Sequence, residues 1–252
     1  MDNTPKLFEG KNIIVTGANT GIGKAIALEV ASAGARVFLT GRNKNMLQDV
    51  YSQIIEEGGM ADVIVADLSV EKEIEHLVEE VLKSVKQIDV LFNNAGTWHN
   101  GNELFFGKSL AEIPLSQIDY VLSVTLLAPM LLSSLVLKAM IPFRKGKIIN
   151  ISGMFSLGGA KWLHYYVAKK GLECFTRGLA DEVREFEIQV NCISPADVAT
   201  DPYIEYYSEE NKLALMPKEV AELGLWLASD STEHISGQVI YLKNKTDYSP
   251  SL

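Results

Sequence analysis

Apolar residues along the chain follow two rhythms. Short runs dense in Val, Ile, Leu and Phe occur at Asn12–Thr16 (NIIVT), 36–40 (RVFLT), 62–66 (DVIVA), 88–92, 147–151, 188–193 and 238–242. Between them lie longer stretches whose apolar positions return every three or four residues, at about 23–33, after 40, from 69 to about 86, at 116–140, at about 165–186 and at 217–228. The first kind reads as strands and the second as helices. Gly34 follows the first helical stretch as a C-cap, Ser69 offers an N-cap with Glu71 and Glu73 behind it, and Pro142 stops the stretch from 116. Near-continuous apolar strands separated by helices predict an α/β fold, a doubly wound Rossmann-type domain with a parallel sheet of about seven strands and helices on both faces.

Composition narrows the classes open to such a chain. Its 252 residues, 47% hydrophobic and 22% charged, suit one compact domain spanning 1–252 without repeats or an interdomain linker. No uninterrupted apolar run reaches the roughly 18 residues of a membrane span, and the opening MDNTPKLFEGKN lacks the features of a signal peptide. A cytoplasmic protein is expected. Cys174 and Cys192 form no CxxC pair, which fits a reducing compartment. The net charge of -9 opposes binding to nucleic acid, and the basic stretch Arg144-Lys145-Gly146-Lys147 reads as a solvated turn. His76, His99, His164 and His234 lack ligand spacing, so no metal is expected.

Chemistry is concentrated first in Thr16-Gly17-Ala18-Asn19-Thr20-Gly21-Ile22-Gly23, three glycines between the first strand and the first helix. Glycines let the backbone N–H groups approach a diphosphate, and the helix N-terminus adds partial positive charge. The spacing departs from GxGxxG and resembles the TGxxxGxG loop of the short-chain dehydrogenase/reductase family. Further matches follow: Asp67 just past the third strand, Asn93-Asn94-Ala95-Gly96 for the family's NNAG element, Tyr166-Val167-Ala168-Lys169-Lys170 for YxxxK, and Pro195, Val198 and Thr200 within PGxVxT. Over residues 8–242 the chain is similar to a classical member of that family. The resemblance implies cofactor contacts at Gly17, Asn19, Thr20, Gly21, Ile22, Gly23, Asp67, Leu68, Asn94, Ala95, Gly96 and Thr200. It also implies hydride exchange between a nicotinamide and a carbonyl/alcohol substrate, and a homodimer or homotetramer built through the helices at 116–140 and 165–186.

After the second strand stands Thr40-Gly41-Arg42-Asn43. Gly41 removes the carboxylate that would hold a ribose 2′-hydroxyl, and Arg42 offers a fork suited to a 2′-phosphate, so NADP(H) is expected rather than NAD(H).

Tyr166 and Lys170, four apart on a helix, share one face. The resemblance makes Tyr166 the acid/base, and Lys170 the ammonium that favours tyrosinate and binds the nicotinamide ribose. Tyr165 and Lys169 have the same spacing, but Ala168 and Gly171-Leu172 align Tyr166 with the catalytic position. The family's serine then falls on Gly153; Ser152 points to the opposite strand face and replaces it only if the backbone bends, with Ser156 a weaker candidate. Other departures are Thr125 for the family's asparagine, Ala196 for the glycine of PG, and Lys243-Asn244-Lys245 for DGG.

Two readings remain open: an oxidoreductase weakened or specialised by these departures, or a catalytically idle dinucleotide-binding member serving as sensor, scaffold or partner subunit. Residues 97–114, with Trp98, Phe105 and Phe106, and 201–216, with Tyr203, Tyr206 and Tyr207, form the substrate lid. Their aromatics suit an apolar or aromatic small molecule, or equally lid packing.

Overall fold

The computed structural model describes residues 6–99, 103–155, 158–206 and 214–243. Seven strands, β1 (Asn12–Thr16), β2 (Arg36–Gly41), β3 (Met60–Val65), β4 (Val90–Asn93), β5 (Gly146–Ile151), β6 (Ile188–Pro195) and β7 (Val239–Leu242), form one parallel sheet in the order β3-β2-β1-β4-β5-β6-β7. The order reverses between β1 and β4, which opens a crevice at the carboxyl ends of these strands.

Strand alternation divides the core in two. Ile13, Val15, Val37, Leu39 and Phe92 face α1 (Gly21–Ser32), α2 (Lys44–Glu56) and α8 (Pro217–Ala228). Ile14, Phe38, Leu91 and Ile148 face α3 (Glu71–Ser84), α5 (Ala128–Met140) and α6 (Leu163–Glu182). The strands read as continuous apolar runs because both faces are covered. β3 is the exception: it lies at the sheet edge and keeps partial exposure along its length.

Two local expectations change. Ser69 does not cap α3, whose N-cap is Val70; instead the Ser69 N–H and hydroxyl donate to Asp67 Oδ1 at 2.9 and 2.8 Å, closing an Asx-type turn. The long helical stretch is also not uniform: α4 (Leu115–Leu122) leads into a π turn at Ser123–Leu127 before α5. Pro129 explains the widening, because it has no N–H to give the carbonyl of Thr125 four residues earlier. The helical run Leu115–Phe143 is long and apolar enough to cross a membrane by length and composition, but half of its most apolar window is buried in the fold. Leu132, Val136 and Met140 are fully covered there. A short helix, α7 (Asp201–Tyr206), begins the second lid segment.

Candidate active site

The turn between β1 and α1 is built so that nothing but hydrogen fits inside it. A Cβ on Gly23 would stand 2.1 Å from the Gly17 carbonyl oxygen, and one on Gly21, at φ +55°, would stand 2.8 Å from Thr200 Cγ2. Thr16 locks this turn to the next loop: its hydroxyl donates to the Phe92 carbonyl at 3.1 Å and accepts from the Asn94 and Ala95 N–H groups at 2.9 Å each. The Asn94 amide in turn donates to the carbonyls of Thr16 and Gly17. The cradle that a side chain would fill lies at the N-terminus of α1, which suits the diphosphate of a dinucleotide.

One cleft gathers Gly17, Asn19, Thr20, Gly21, Ile22, Arg42, Asp67, Leu68, Asn94, Ala95, Gly96 and Thr200, together with Ser152, Tyr165 and Lys169. Gly23 lies behind the turn rather than on the cleft wall. At the rim, Arg42 donates a hydrogen bond to the Tyr120 hydroxyl and lies 5.8 Å from that ring's centroid, while Tyr120 packs edge-on against Phe105. The sequence pattern gave no hint that α4 would carry the support for Arg42. His99 also lines the cleft; burial, aided by the charge of Arg42, holds its imidazole below the usual pKa. Among the described residues no cluster of three His, Cys, Asp or Glu could hold a metal ion.

The Tyr/Lys pair that lines the cleft is not the pair expected from sequence. Tyr166 and Lys170 do not line the cleft. Tyr166 packs its ring against Phe155 and over Gly159, while Lys170 pairs with Glu173 at 2.7 Å and lies 5.4 Å from the Tyr241 ring centroid. Tyr165 and Lys169 face the cleft instead, with the Lys169 ammonium 5.5 Å from the Tyr165 ring centroid and donating to the Ile151 carbonyl at 2.7 Å. The physical reason is the rotation of α6, set by its buried stripe of Ala168, Lys169, Leu172, Glu173, Thr176, Leu179 and Ala180. Thr176 fixes that rotation by accepting from the Asn150 amide at 2.9 Å, within a buried chain that runs on through Asn93 to Ser133. The sequence carried this signal: Lys169 shares its stripe with Leu172 and Thr176, while Lys170 shares its own with exposed Cys174 and Arg177. Burial pulls the Lys169 ammonium down to about 8 and pushes the Tyr165 phenol above its ordinary value of 10.

Ser152 lines the cleft, and its hydroxyl turns to α6. It lies 3.0 Å from both the Lys169 carbonyl and Glu173 Oε1. Counted from Tyr165 rather than Tyr166, the serine position of the resemblance falls on Ser152 and not on Gly153. Glu173 is the hub of this region, accepting also from Ser194 at 2.9 Å and from the Tyr241 hydroxyl at 3.2 Å. A side chain on Gly153 would emerge toward the Phe155 ring, which stands edge-on to Tyr165. Thr125, in the π turn, accepts from the Thr97 N–H at 3.2 Å, and Ala196 donates its N–H to the Leu242 carbonyl. Ser156, Tyr207, Asn244 and Lys245 lie outside the described residues, as does the Tyr206 side chain. Phe105 is packing, at 5% exposure, whereas Trp98 lines the cleft and Phe106 stacks on Trp162, a residue the sequence reading passed over.

A family model described as short chain dehydrogenase matches residues 11–211. The chain is 34% identical over 246 residues to the 3-oxoacyl-(acyl-carrier-protein) reductase FabG of Aquifex aeolicus, covering 93% of this chain and 96% of that protein. It is 28% identical over 248 residues to the 2-dehydro-3-deoxy-D-gluconate 5-dehydrogenase of Formosa agariphila, covering 93% and 91% of the two chains. Among solved structures it is similar to a metagenomic short-chain oxidoreductase in complex with NADP, at a TM-score of 0.81 and 30% identity, covering 94% of this chain and 97% of that one. These relatives are oxidoreductases, which favours an enzyme over an idle binding member.

Proposed function

The chain belongs to the short-chain dehydrogenase/reductase family of NAD(P)-dependent oxidoreductases, and from that premise we propose that it interconverts a small carbonyl compound and its alcohol with NADP(H), using Tyr165 as acid/base. The observation that carries the proposal is the convergence of Tyr165 and Lys169 on the cleft floored by the glycine turn. A bound nicotinamide supplies or accepts the hydride. The N–H groups of Thr20, Gly21 and Ile22 hold the diphosphate, Asp67 and Leu68 border the adenine, and Asn94, Ala95, Gly96 and Thr200 flank the nicotinamide end. Arg42 takes the 2′-phosphate, next to a Gly41 that offers no carboxylate to repel it.

In the direction of reduction, the Tyr165 hydroxyl gives its proton to the substrate oxygen. Burial alone makes tyrosinate costly, so a positive charge must offset it. Lys169 supplies that charge at neutral pH because its pKa, though lowered to about 8, still lies above 7. The same ammonium is placed to hold the ribose. Trp98 on the cleft wall makes recognition of the substrate apolar or aromatic. Exposed apolar side chains on and beside α4, α5 and α6, 71% at Leu115, 54% at Leu127 and 50% at Val167, support a homodimer or homotetramer through these helices. The setting is cytoplasmic.

The test is calorimetric titration of NADPH and NADH followed by NADPH oxidation with the Tyr165→Phe and Tyr166→Phe variants. Tighter binding of NADPH and loss of turnover in the first variant alone support the proposal. No heat with either cofactor, or loss in the second variant alone, overturns it.

A further inference from the structure

We infer that Tyr120 is a positioning residue for the choice of cofactor: it holds the Arg42 guanidinium ready at the cleft, so that a dinucleotide with a 2′-phosphate meets a preformed fork and one without it gains nothing. This rests on the reading of Arg42 as the residue that takes the phosphate, and it adds a partner from a part of the chain that none of the cofactor motifs reaches.

The two residues come from either side of the reversal in strand order. Arg42 leaves the carboxyl end of β2 beside Gly41, whereas Tyr120 lies on α4, which follows β4. Tyr120 stands one helical turn before Val124, and Val124 and Arg42 line the same cleft with Asp67 and Leu68. Arg42 Nη1 donates to the Tyr120 hydroxyl, and the guanidinium carbon lies 5.8 Å from the centroid of the Tyr120 ring.

The charge held in this way is unspent. Arg42 is exposed, and among the described residues no carboxylate pairs with it; the phenol accepts from one of the five guanidinium N–H groups. The other end of β2 shows the contrast, where Arg36 gives its Nε to Asp62 at 2.7 Å and serves as a fastening. The Arg42 charge is felt inside the cleft, where it adds to burial in keeping His99 below its ordinary pKa.

The support is also firmer than what it supports. Tyr120 is half-buried, with its ring edge-on to Phe105 at 6.3 Å between centroids, and Phe105 is core. A free arginine loses much rotamer freedom when it closes on a phosphate; one already docked on a packed ring has lost most of it beforehand. A phenol is neutral, so it repels no phosphate, and while it accepts from Arg42 its own O–H stays available to donate. A carboxylate in its place would neutralise the fork.

The test is calorimetric titration of NADPH, NADH, adenosine 2′,5′-bisphosphate and AMP into the full chain, as parent, Tyr120→Phe, Arg42→Ala and the double variant. Tyr120→Phe keeps the ring and removes the acceptor. It should weaken NADPH and the bisphosphate about fivefold and leave NADH and AMP within about twofold. In the Arg42→Ala background the same change should move NADPH binding by less than about twofold, because a residue that acts through Arg42 has nothing left to act on. Equal weakening of NADPH and NADH, as a merely structural tyrosine would give, overturns the inference. So does NADPH binding that is unchanged or tighter in Tyr120→Phe, or a loss that persists undiminished without Arg42. In each of these cases a parent that prefers NADPH leaves the cofactor reading standing; a parent that binds NADPH no more tightly than NADH overturns both.

Discussion

Along α6, Tyr165 and Lys169 lie on the stripe that faces the glycine turn, and Tyr166 and Lys170 on a stripe rotated by about 100° toward Phe155 and β7. The two pairs share residue types and spacing, and one position separates them. On the inner stripe the ammonium is buried, donates to a strand carbonyl and sits beside a phenol. On the outer stripe the ammonium is 31% exposed and neutralises Glu173, the carboxylate that ties α6 to β5, β6 and β7. The same two side chain types thus line the cleft in one register and fasten α6 in the other. Environment, and not spacing, separates chemistry from structure.

The largest expected effect breaks this symmetry outright. Tyr165→Phe should lower kcat by about 1000-fold, within the range of a lost general acid, while Tyr166→Phe stays within about threefold of the parent. Steady-state NADPH oxidation measures both. Equal losses in the two variants would mean that the stripes are not distinct.

Lys169→Met should lower kcat by about 100-fold and yet raise the melting temperature by a few degrees, because it removes a buried ammonium. The pH dependence has the same origin. Between about 8 and 10.5 the lysine is protonated in the unfolded chain and neutral in the folded one, so the unfolded state binds more protons and stability rises with pH across that window, by at most about 3 kcal/mol. Activity should fall over the same interval, as the charge beside Tyr165 is lost. Thermal melts of parent and variant at pH 7 and pH 9.5 check this; a parent that loses stability on passing to the higher pH, relative to the variant, contradicts it.

On the cofactor side, Arg42→Ala should weaken NADPH binding by roughly 10–100-fold, the worth of a charged hydrogen bond to phosphate, and leave NADH binding nearly unchanged. Calorimetry with both cofactors reads the ratio. The smallest effect belongs to the outer stripe. Lys170→Met should cost about 1–2 kcal/mol of stability, less than a fully buried ion pair because the lysine is partly exposed, with turnover within about threefold. Denaturant unfolding and a kinetic assay separate these two outcomes.

The sheet and the cofactor turn were legible from the chain because both are local. Alternating apolar runs fix which residues enter strands, and the seven runs read from the sequence match the seven strands to within a few residues. The glycines at 17 and 23 answer contacts within the turn and with the loop at Asn94, whereas Gly21 answers Thr200, far along the chain. The two lid segments were recognisable only as aromatic-rich and unpatterned. Sequence could not say that Phe105 is core and Phe106 stacks on Trp162, since those contacts join loops some 50 residues apart.

What the sequence by itself determined, then, is the order of strands and helices, the phosphate-binding bend, and the presence of a phenol and an ammonium one helical turn apart. Only the tertiary structure decided which phenol and which ammonium. Helical phase is set by the whole buried stripe, and here that stripe is locked by the Asn150 amide on Thr176, a bond between β5 and α6. The same packing turned the Ser152 hydroxyl to the helix. Spacing along a chain fixes the angle between two side chains on a helix; the direction in which both point depends on what the helix lies against.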